Sequence, residues 1–472
     1  MKVVFIYPDL ITPMISFCPA VSMLSAVLKR AGHQTTLLHI NNQYGMVYNQ
    51  EVIINRVRQE KPDLIGITAT SFNYQQANDI AGFLKKEFSS IPCILGGPHA
   101  TIQPGDQSSS NFDAFCIGEG EEPLLQIVRA LESGEDWRHI FLRGRVKNLD
   151  SLPDLDFDII DTPKILKLRN GWLSISFSRG CPHSCTFCAN QTPEVVRYRS
   201  PTNTVRELVL LAKKFEIKVF NFDDDNLPSS RVWMLDFMDR YKHEIFDIYN
   251  IKYSMNFHAT SLDEELAKEL GWSGCMEARI GFETGNEFLR KSILNKRVSN
   301  RSLIEAFAAC DKYGIHTTAF AMMGIPGETA ETVQDTITMI SKLRPYLIRM
   351  AFLSPLAHTK IFDSCMKKNL FKSQNHLTNE FTESPLRFET LTDEQIFKFR
   401  FLFPWYVNAS WFGEPYQTAI AQFTFKSIPE IIEQDKQLSI LCSQPHYKYF
   451  DDNTYYFQLK GKYDNNTNSL QN

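Results

Sequence analysis

The 472-residue chain has no long block of lysine or arginine, and its formal net charge is −4. That argues against a protein that grips a nucleic-acid backbone, because such affinity rests on clustered cations. No uninterrupted apolar run approaches the roughly 18–20 residues of a membrane helix. The opening segment MKVVFIYP has neither the longer apolar region nor the small-residue cleavage site of a signal peptide, so a cytoplasmic location is expected. Cysteine is sparse, at 10 residues. A secreted disulfide scaffold would need far more, and a chain of this length buries enough apolar surface without staples. No internal repeat is visible beyond an alternation of strand and helix patterns.

Against that scarcity, three cysteines fall within eight residues of "SFSRGCPHSCTFCANQ": Cys181, Cys185 and Cys188. Thiolates are soft ligands that suit zinc or iron–sulfur clusters. A structural zinc ion wants four protein ligands in a closed tetrahedron, and this set stops at three. The spacing of His183 does not match the usual zinc pairs. A cubane cluster has four irons, so three cysteines leave one iron open to a small molecule.

The rest of the chain says where this loop sits. Residues 1–134 alternate short apolar runs with helical patterns. Strands are expected at 2–8, 34–40, 63–71 and 92–100, with helices between them, as in "AVSMLSAVLKRAGH" (20–33). This reads as a Rossmann-like parallel α/β domain, whose ligands belong at the carboxyl ends of the strands. Residues 135–170, rich in Asp and Pro, read as a linker. Strands expected at 173–178, 217–222, 251–256, 277–282, 316–323 and 346–353 then define a partial (β/α)6 barrel over 171–372. Its chemistry belongs on the loops after the strands, where the cysteine loop falls. Residues 373–472 are aromatic-rich and read as a mainly helical C-terminal cap with a frayed polar tail.

The loop Cys-x3-Cys-x-aromatic-Cys, with Phe187 in the aromatic slot, resembles that of the radical S-adenosylmethionine (SAM) superfamily. The resemblance implies that Cys181, Cys185 and Cys188 hold a [4Fe–4S] cluster. Its open iron then binds SAM, and reductive cleavage gives a 5′-deoxyadenosyl radical. Three further segments resemble the family's SAM-binding turns. They are "FNFDDDNLPSS", with Asp224 and Asp225 receiving the amino group; "RIGFETGNE", with Glu283 at a strand end; and "MMGIPGET", with Gly324, Ile325, Pro326 and Gly327 as a shelf for adenine. His358, in "LSPLAHTKIF", is a weaker candidate for the same site.

The N-terminal domain resembles the cobalamin-binding domain of one large subclass. The matching segments are "DLIGITATS", "ILGGPHAT" and "CIGEGEEPLLQIV". They imply contacts to the cobalamin tail from Thr68, Thr70, Ser71, Gly96, Gly97, Gly118, Glu119 and Gly120. The Asp-x-His-x-x-Gly cobalt-ligand motif is absent after the first strand. The resemblance covers about residues 1–370. It implies a cobalamin-dependent radical SAM enzyme, with methylation of an unactivated carbon or a phosphorus centre as the leading reaction. Oxidative cyclisation without methyl transfer is the runner-up, and a corrinoid- or redox-sensing regulator the non-enzymatic alternative. A methylthiotransferase would need three more cluster cysteines in the N-terminal domain, where Cys18, Cys93 and Cys116 stand in a different context. The expected partners are a small-molecule or peptide substrate and an electron donor such as flavodoxin or ferredoxin, with no nucleic acid and no membrane span.

Overall fold

The computed structural model of the chain describes residues 1–10, 17–137, 143–189, 195–227, 230–373, 382–424, 427–442, 444–450 and 453–461. The stretch 11–16 after the first strand and the polar tail 462–472 lie outside the described residues. The chain divides into two compact units. Unit 1 is Met1–Arg179, Val196–Asp223 and Asp247–Ile251; unit 2 is Gly180–Val195, Asp224–Phe246 and Lys252–Asn472.

Unit 1 opens with β1 (Lys2–Pro8), β2 (Gln34–Ile40), β3 (Leu64–Thr68), β4 (Cys93–Gly96) and β5 (Ala114–Phe115), paired in parallel in the order β2-β1-β3-β4-β5. Alternation along β1 sends its side chains to two cores. Val4 and Ile6 join Ile53, Val57, Ile80 and Leu84. Val3 and Phe5 join Val21, Leu28, Leu124 and Ile127. Helices therefore cover both faces, and the chain order reverses between β1 and β3, the position where such sheets bind ligands. Two short strands follow, β6 (Ile117–Gly118) and β7 (Arg143–Gly144).

The described residues 143–170 of the stretch read as a linker are a packed part of unit 1. Leu149 and Leu152 share a core with Met23 and Val27, and Phe157 stacks on Phe17 at 5.2 Å. Its acids are engaged as well: Asp154 meets Arg206 and Arg199, and Asp158 meets Lys214.

Unit 1 also contains β8 (Trp172–Ile175), then the antiparallel pair β9 (Ser178–Arg179) and β10 (Arg197–Tyr198). β8 pairs in parallel with the first half of β11 (Val219–Leu227). Unit 2 continues with β12 (Lys252–Phe257), β13 (Cys275–Glu283), β14 (His316–Met323) and β15 (Leu347–Phe352), all parallel. Helices capped by Asp263, Ser299 and Thr329 separate these strands. This is the expected six-strand barrel order. The C-terminal region is helical at Asp393–Phe401, Phe403–Phe412, Tyr416–Ala421 and Ile428–Ser439. It then ends in strands, which the helical expectation for the cap did not include: β16 (His446–Phe450) and β17 (Asn453–Lys460) form a hairpin, and β17 pairs antiparallel with β15. The strand order is β16-β17-β15-β14-β13-β12-β11-β8. Among the described residues no helix is long and apolar enough to cross a membrane.

The cap is anchored by a buried carboxylate. Trp405 Nε1 donates to Asp435 Oδ1 at 2.8 Å and Tyr449 N to Oδ2 at 3.4 Å. Burial raises the Asp435 pKa to about 7. A raised folded pKa means this group's contribution is fully present below about pH 4 and is lost as pH rises through about 7. Asp435→Asn should therefore gain thermal stability over the parent at pH 8.5 relative to pH 6. An equal difference at both pH values would show that Asp435 does not titrate there.

Candidate functional site

The cysteine loop belongs to unit 2 and is stitched to the segment after β13. Thr186 N donates to Leu294 O at 2.9 Å and its hydroxyl to Ile293 O at 2.7 Å. Asn295 Nδ2 donates to Ser184 O at 2.8 Å and to Ser184 Oγ at 2.9 Å. Arg290, fully buried, shapes that segment from inside. Its guanidinium donates to Thr284 O at 2.5 Å, to Val298 O at 3.0 Å and to Asn300.

The segment delivers Lys296, which the sequence reading missed. Its Nζ sits 2.6 Å from Glu283 Oε1, with both side chains about nine-tenths buried. Glu283 ends β13 at φ +64°, in the left-handed region. The pair lies over Gly281, where a Cβ would collide with Lys296 Nζ and approach Glu283 Oε1 to 2.6 Å. The carboxylate at 283 is thus neither a helix-end feature nor free; any ligand it serves must share it with Lys296.

The cation's field reaches Cys181, His183 and Cys185. Burial pushes the Cys185 thiol up to about 11, while Lys296 pulls it down and charge on Glu283, Cys188 and Cys181 pushes it further up. Cys181 is raised by burial, with Asp225 adding to the effect. Three thiols that feel one another, with no fourth cysteine in the loop, fit a group that brings positive charge and leaves one position open. Among the described residues no three His, Cys, Asp or Glu side chains gather around a single ion position. A cluster does not ask for that, because each thiolate ligates a different iron and the sulfurs must stand further apart.

His183, inside the loop, stacks on His258 at 3.9 Å and 14°. His258 follows β12, and its Nδ1 lies 2.7 Å from Thr260 Oγ1. Burial, together with Lys296, lowers the His258 pKa to about 3 and holds His183 below its usual value. Both imidazoles are thus neutral at physiological pH. The available signal for His258 was a polar residue directly after a barrel strand.

The other expected SAM residues are placed as follows. Phe187 packs in an apolar cluster with Ile325, Leu289, Leu353 and Ile361. The Asp-rich stretch is strand through Leu227 rather than a turn. Strand alternation then sends Asp224 and Asp225 to opposite faces. Asp224 is 2% exposed, whereas Asp225 is exposed and its charge acts on Cys181. Asp225 is therefore the better placed of the two. Gly324, Ile325 and Pro326 are buried, and a Cβ on Gly324 would meet Ser384 and Phe388. The expected shelf is covered by residues of the C-terminal region. Gly327 is exposed. Behind it, Glu328 accepts from Gly324 N at 2.6 Å, and burial raises its pKa to about 7. His358 is exposed at φ +63°, just before the helix Lys360–Lys367.

In unit 1 the expected cobalamin residues separate by role. Thr68, Thr70, Ser71 and Gly96 lie at or just past the carboxyl ends of β3 and β4, beside the β1/β3 reversal. A Cβ on Gly96 would meet nothing within 4 Å, so short residues leave room there for a bulky tail. Ser71 Oγ is 3.2 Å from His99 Nδ1, and Tyr74 stacks on that ring at 3.7 Å. Gly97 is required by the fold itself: φ is +92°, and a Cβ would stand 2.6 Å from Thr68 Oγ1 and 2.9 Å from Ala69 O. Gly118 and Gly120 are likewise closed in, by Gly144 O and Leu24. Glu119 is occupied, with Arg197 at 2.5 Å, Arg179 at 3.0 Å and Val146 N donating at 2.5 Å. Gly96 thus borders open space at its strand end, while Glu119 serves an ion network.

Lys296→Met should leave Glu283 buried without its cation. A loss of about 3–5 kcal/mol is expected, and adding Glu283→Leu should recover most of it. Denaturant titration of both variants checks this; an unchanged midpoint in Lys296→Met would mean the pair is not buried as described.

Residues 18–128 match the B12 binding domain family, and residues 175–340 the Radical SAM superfamily. An uncharacterized methyltransferase of Pyrococcus horikoshii, PH0819, is 26% identical over 360 residues, covering 72% of this chain and 78% of its own. The anaerobic magnesium-protoporphyrin IX monomethyl ester cyclase of Rubrivivax gelatinosus is 24% identical, covering 77% and 69%. Among solved structures, the radical SAM methyltransferase TsrM of Kitasatospora setae, with tryptophan substrate and a SAM analogue bound, superposes with a TM-score of 0.67 at 16% identity, covering 82% of this chain and 80% of that one. The two matched families together with the three-thiol loop identify the chain as a radical SAM enzyme with an N-terminal B12-binding domain, whose cofactors are a [4Fe–4S] cluster, SAM and cobalamin.

Proposed function

We propose that this enzyme methylates an unactivated carbon, or a phosphorus centre, of a small biosynthetic intermediate, in a reducing cytoplasm with flavodoxin or ferredoxin as electron donor. When bound, the cluster and SAM supply a 5′-deoxyadenosyl radical, and cobalamin supplies a methyl carrier. The observation that carries the reading is the cysteine loop stitched beside the buried Lys296–Glu283 pair, in a chain that also has a strand-end crevice fit for a cobalamin tail. Cys181, Cys185 and Cys188 hold the cluster. Lys296 and Glu283 hold the polar end of SAM, assisted by Asp225. Phe187 and the apolar residues around it keep water from a reactive radical. Thr68, Thr70, Ser71 and Gly96 receive the cobalamin tail. The name of PH0819 supports methyl transfer. The likeness to the magnesium-protoporphyrin ester cyclase supports a second reading, oxidative ring closure with the same cofactors.

Product analysis separates the readings. Under anaerobic reduction, methyl transfer should yield 5′-deoxyadenosine and S-adenosylhomocysteine together. Cyclisation yields the first without the second, and a sensing regulator yields neither. Iron and sulfide assays should give one cluster per chain, lost when the three cysteines become Ala.

Glu283→Gln should weaken SAM binding roughly tenfold to a hundredfold, the worth of a charge-assisted hydrogen bond of ~1.5–3 kcal/mol. Its cluster absorbance should remain; normal SAM affinity would remove Glu283 from the site.

A further inference from the structure

Two segments back the cysteine loop, and both meet Thr186, the residue after Cys185. The Thr186 hydroxyl donates to Ile293 O and its N to Leu294 O, while Ile361 N donates to its carbonyl at 3.0 Å. One segment runs through 287–301 and the other through 359–372. Their charge is lopsided in a chain of net charge −4: the first carries five Lys or Arg and one acid, the second four and one. Arg290 and Lys296 are buried. Lys291, Arg301 and Lys372 are held by Glu287, Glu305 and Asp393. The other four, Arg297, Lys360, Lys367 and Lys368, are exposed, and no carboxylate among the described residues pairs with them. Lys360 and Lys367 stand two turns apart on one face of the helix Lys360–Lys367, which turns Ile361 and Cys365 inward. Asp363 is the single acid on that helix. Each segment also exposes a large apolar side chain, Phe288 at 67% and Met366 at 50%. Apolar anchors among unpaired cations suit a transient protein interface, in which charge steers the encounter and apolar contact holds it.

We propose that these two segments form the docking surface for a small acidic protein that carries single electrons, and that Arg297, Lys360 and Lys367 steer it. Two features name the occupant. The unpaired charge is positive, so the partner's face must be acidic. The surface lies directly behind the loop of three thiols, where an electron has to arrive. One electron leaves the carrier, oxidising it by one step, and enters the bound cluster, whose formal charge falls by one. The inference rests on the radical-enzyme reading for the cluster that receives the electron.

The test uses the full chain with its cluster reconstituted, and flavodoxin as the acidic carrier. Calorimetry should show flavodoxin binding about tenfold more weakly as ionic strength rises from about 0.05 to about 0.5 M, because screening shortens the reach of these charges. Replacing Arg297, Lys360 and Lys367 together by Gln should weaken binding, and slow cluster reduction by reduced flavodoxin, at least tenfold. Iron content, and reduction by the small methyl viologen cation radical, should not change. Phe288→Ala should weaken binding at least threefold and leave its salt dependence as it was. If the triple variant fails to fold, Lys360→Glu alone decides and should lower affinity at least threefold. No binding at low salt, binding that ignores salt, or binding that survives the substitutions overturns the proposal. So does a preference for single-stranded RNA over flavodoxin, or self-association of the chain that the triple variant loses. Cluster reduction without 5′-deoxyadenosine formation would instead overturn the radical-enzyme reading and leave the docking result standing.

Discussion

The site depends on one buried contact, that between Lys296 and Glu283. Two ions taken out of water at 2.6 Å are tolerated only if each keeps the other and the surroundings hold both in place. Several features of unit 2 serve that end. Gly281 has no side chain to obstruct the pair. Arg290 braces the returning segment through three oxygens. Asn295, the residue before the lysine, is hydrogen-bonded into the cysteine loop. Glu283 itself adopts a left-handed backbone, a conformation that costs a bulky residue free energy and that persists where the surroundings over-determine it.

The same cation organises the electrostatics around the loop. Burial, and then this cation, opposes protonation of His183 and His258; at Cys185 and Cys181 the cation works against burial, which raises both thiols. A fixed positive charge acting on two of three neighbouring thiols offsets the repulsion that thiolates feel as they form. On the apolar side, Phe187 and its cluster offer no proton or hydrogen-bond partner. Radical chemistry benefits from both properties: charge where the cofactor is held, and inert surface around it.

Relatives named for methyl transfer and for ring closure resemble this chain over similar fractions of its length. Likeness over this length therefore does not by itself select the outcome. Selection falls to residues that meet the substrate. Here the inner face of the strands is extended by β17, contributed by a part of the chain that neither matched family spans. The ledge of Ser384 and Phe388 over Gly324 comes from the same part.

Much of this could be read from the residues alone. Strand positions in both units followed from short apolar runs between helical patterns, because burial on both faces of a parallel strand leaves a continuous apolar signature. The three cysteines stood out because side chains this close in sequence need no folding to be neighbours. Long-range partners left no such mark. Lys296 is one lysine in a polar stretch until β13 and the segment after it bring it to Glu283. Glu119, in a glycine-rich turn, looked available to a ligand until Arg179 and Arg197 arrived from β9 and β10. The Asp/Pro-rich stretch looked like a spacer because its partners, Met23, Val27 and Phe17, lie over a hundred residues earlier. The sequence by itself determined the strand and helix pattern and the gathering of three cysteines in one loop, since local periodicity and close spacing are properties of neighbouring residues. Only the tertiary structure decided which acids are free and which are paired, because charge pairing depends on distances between residues far apart in the chain.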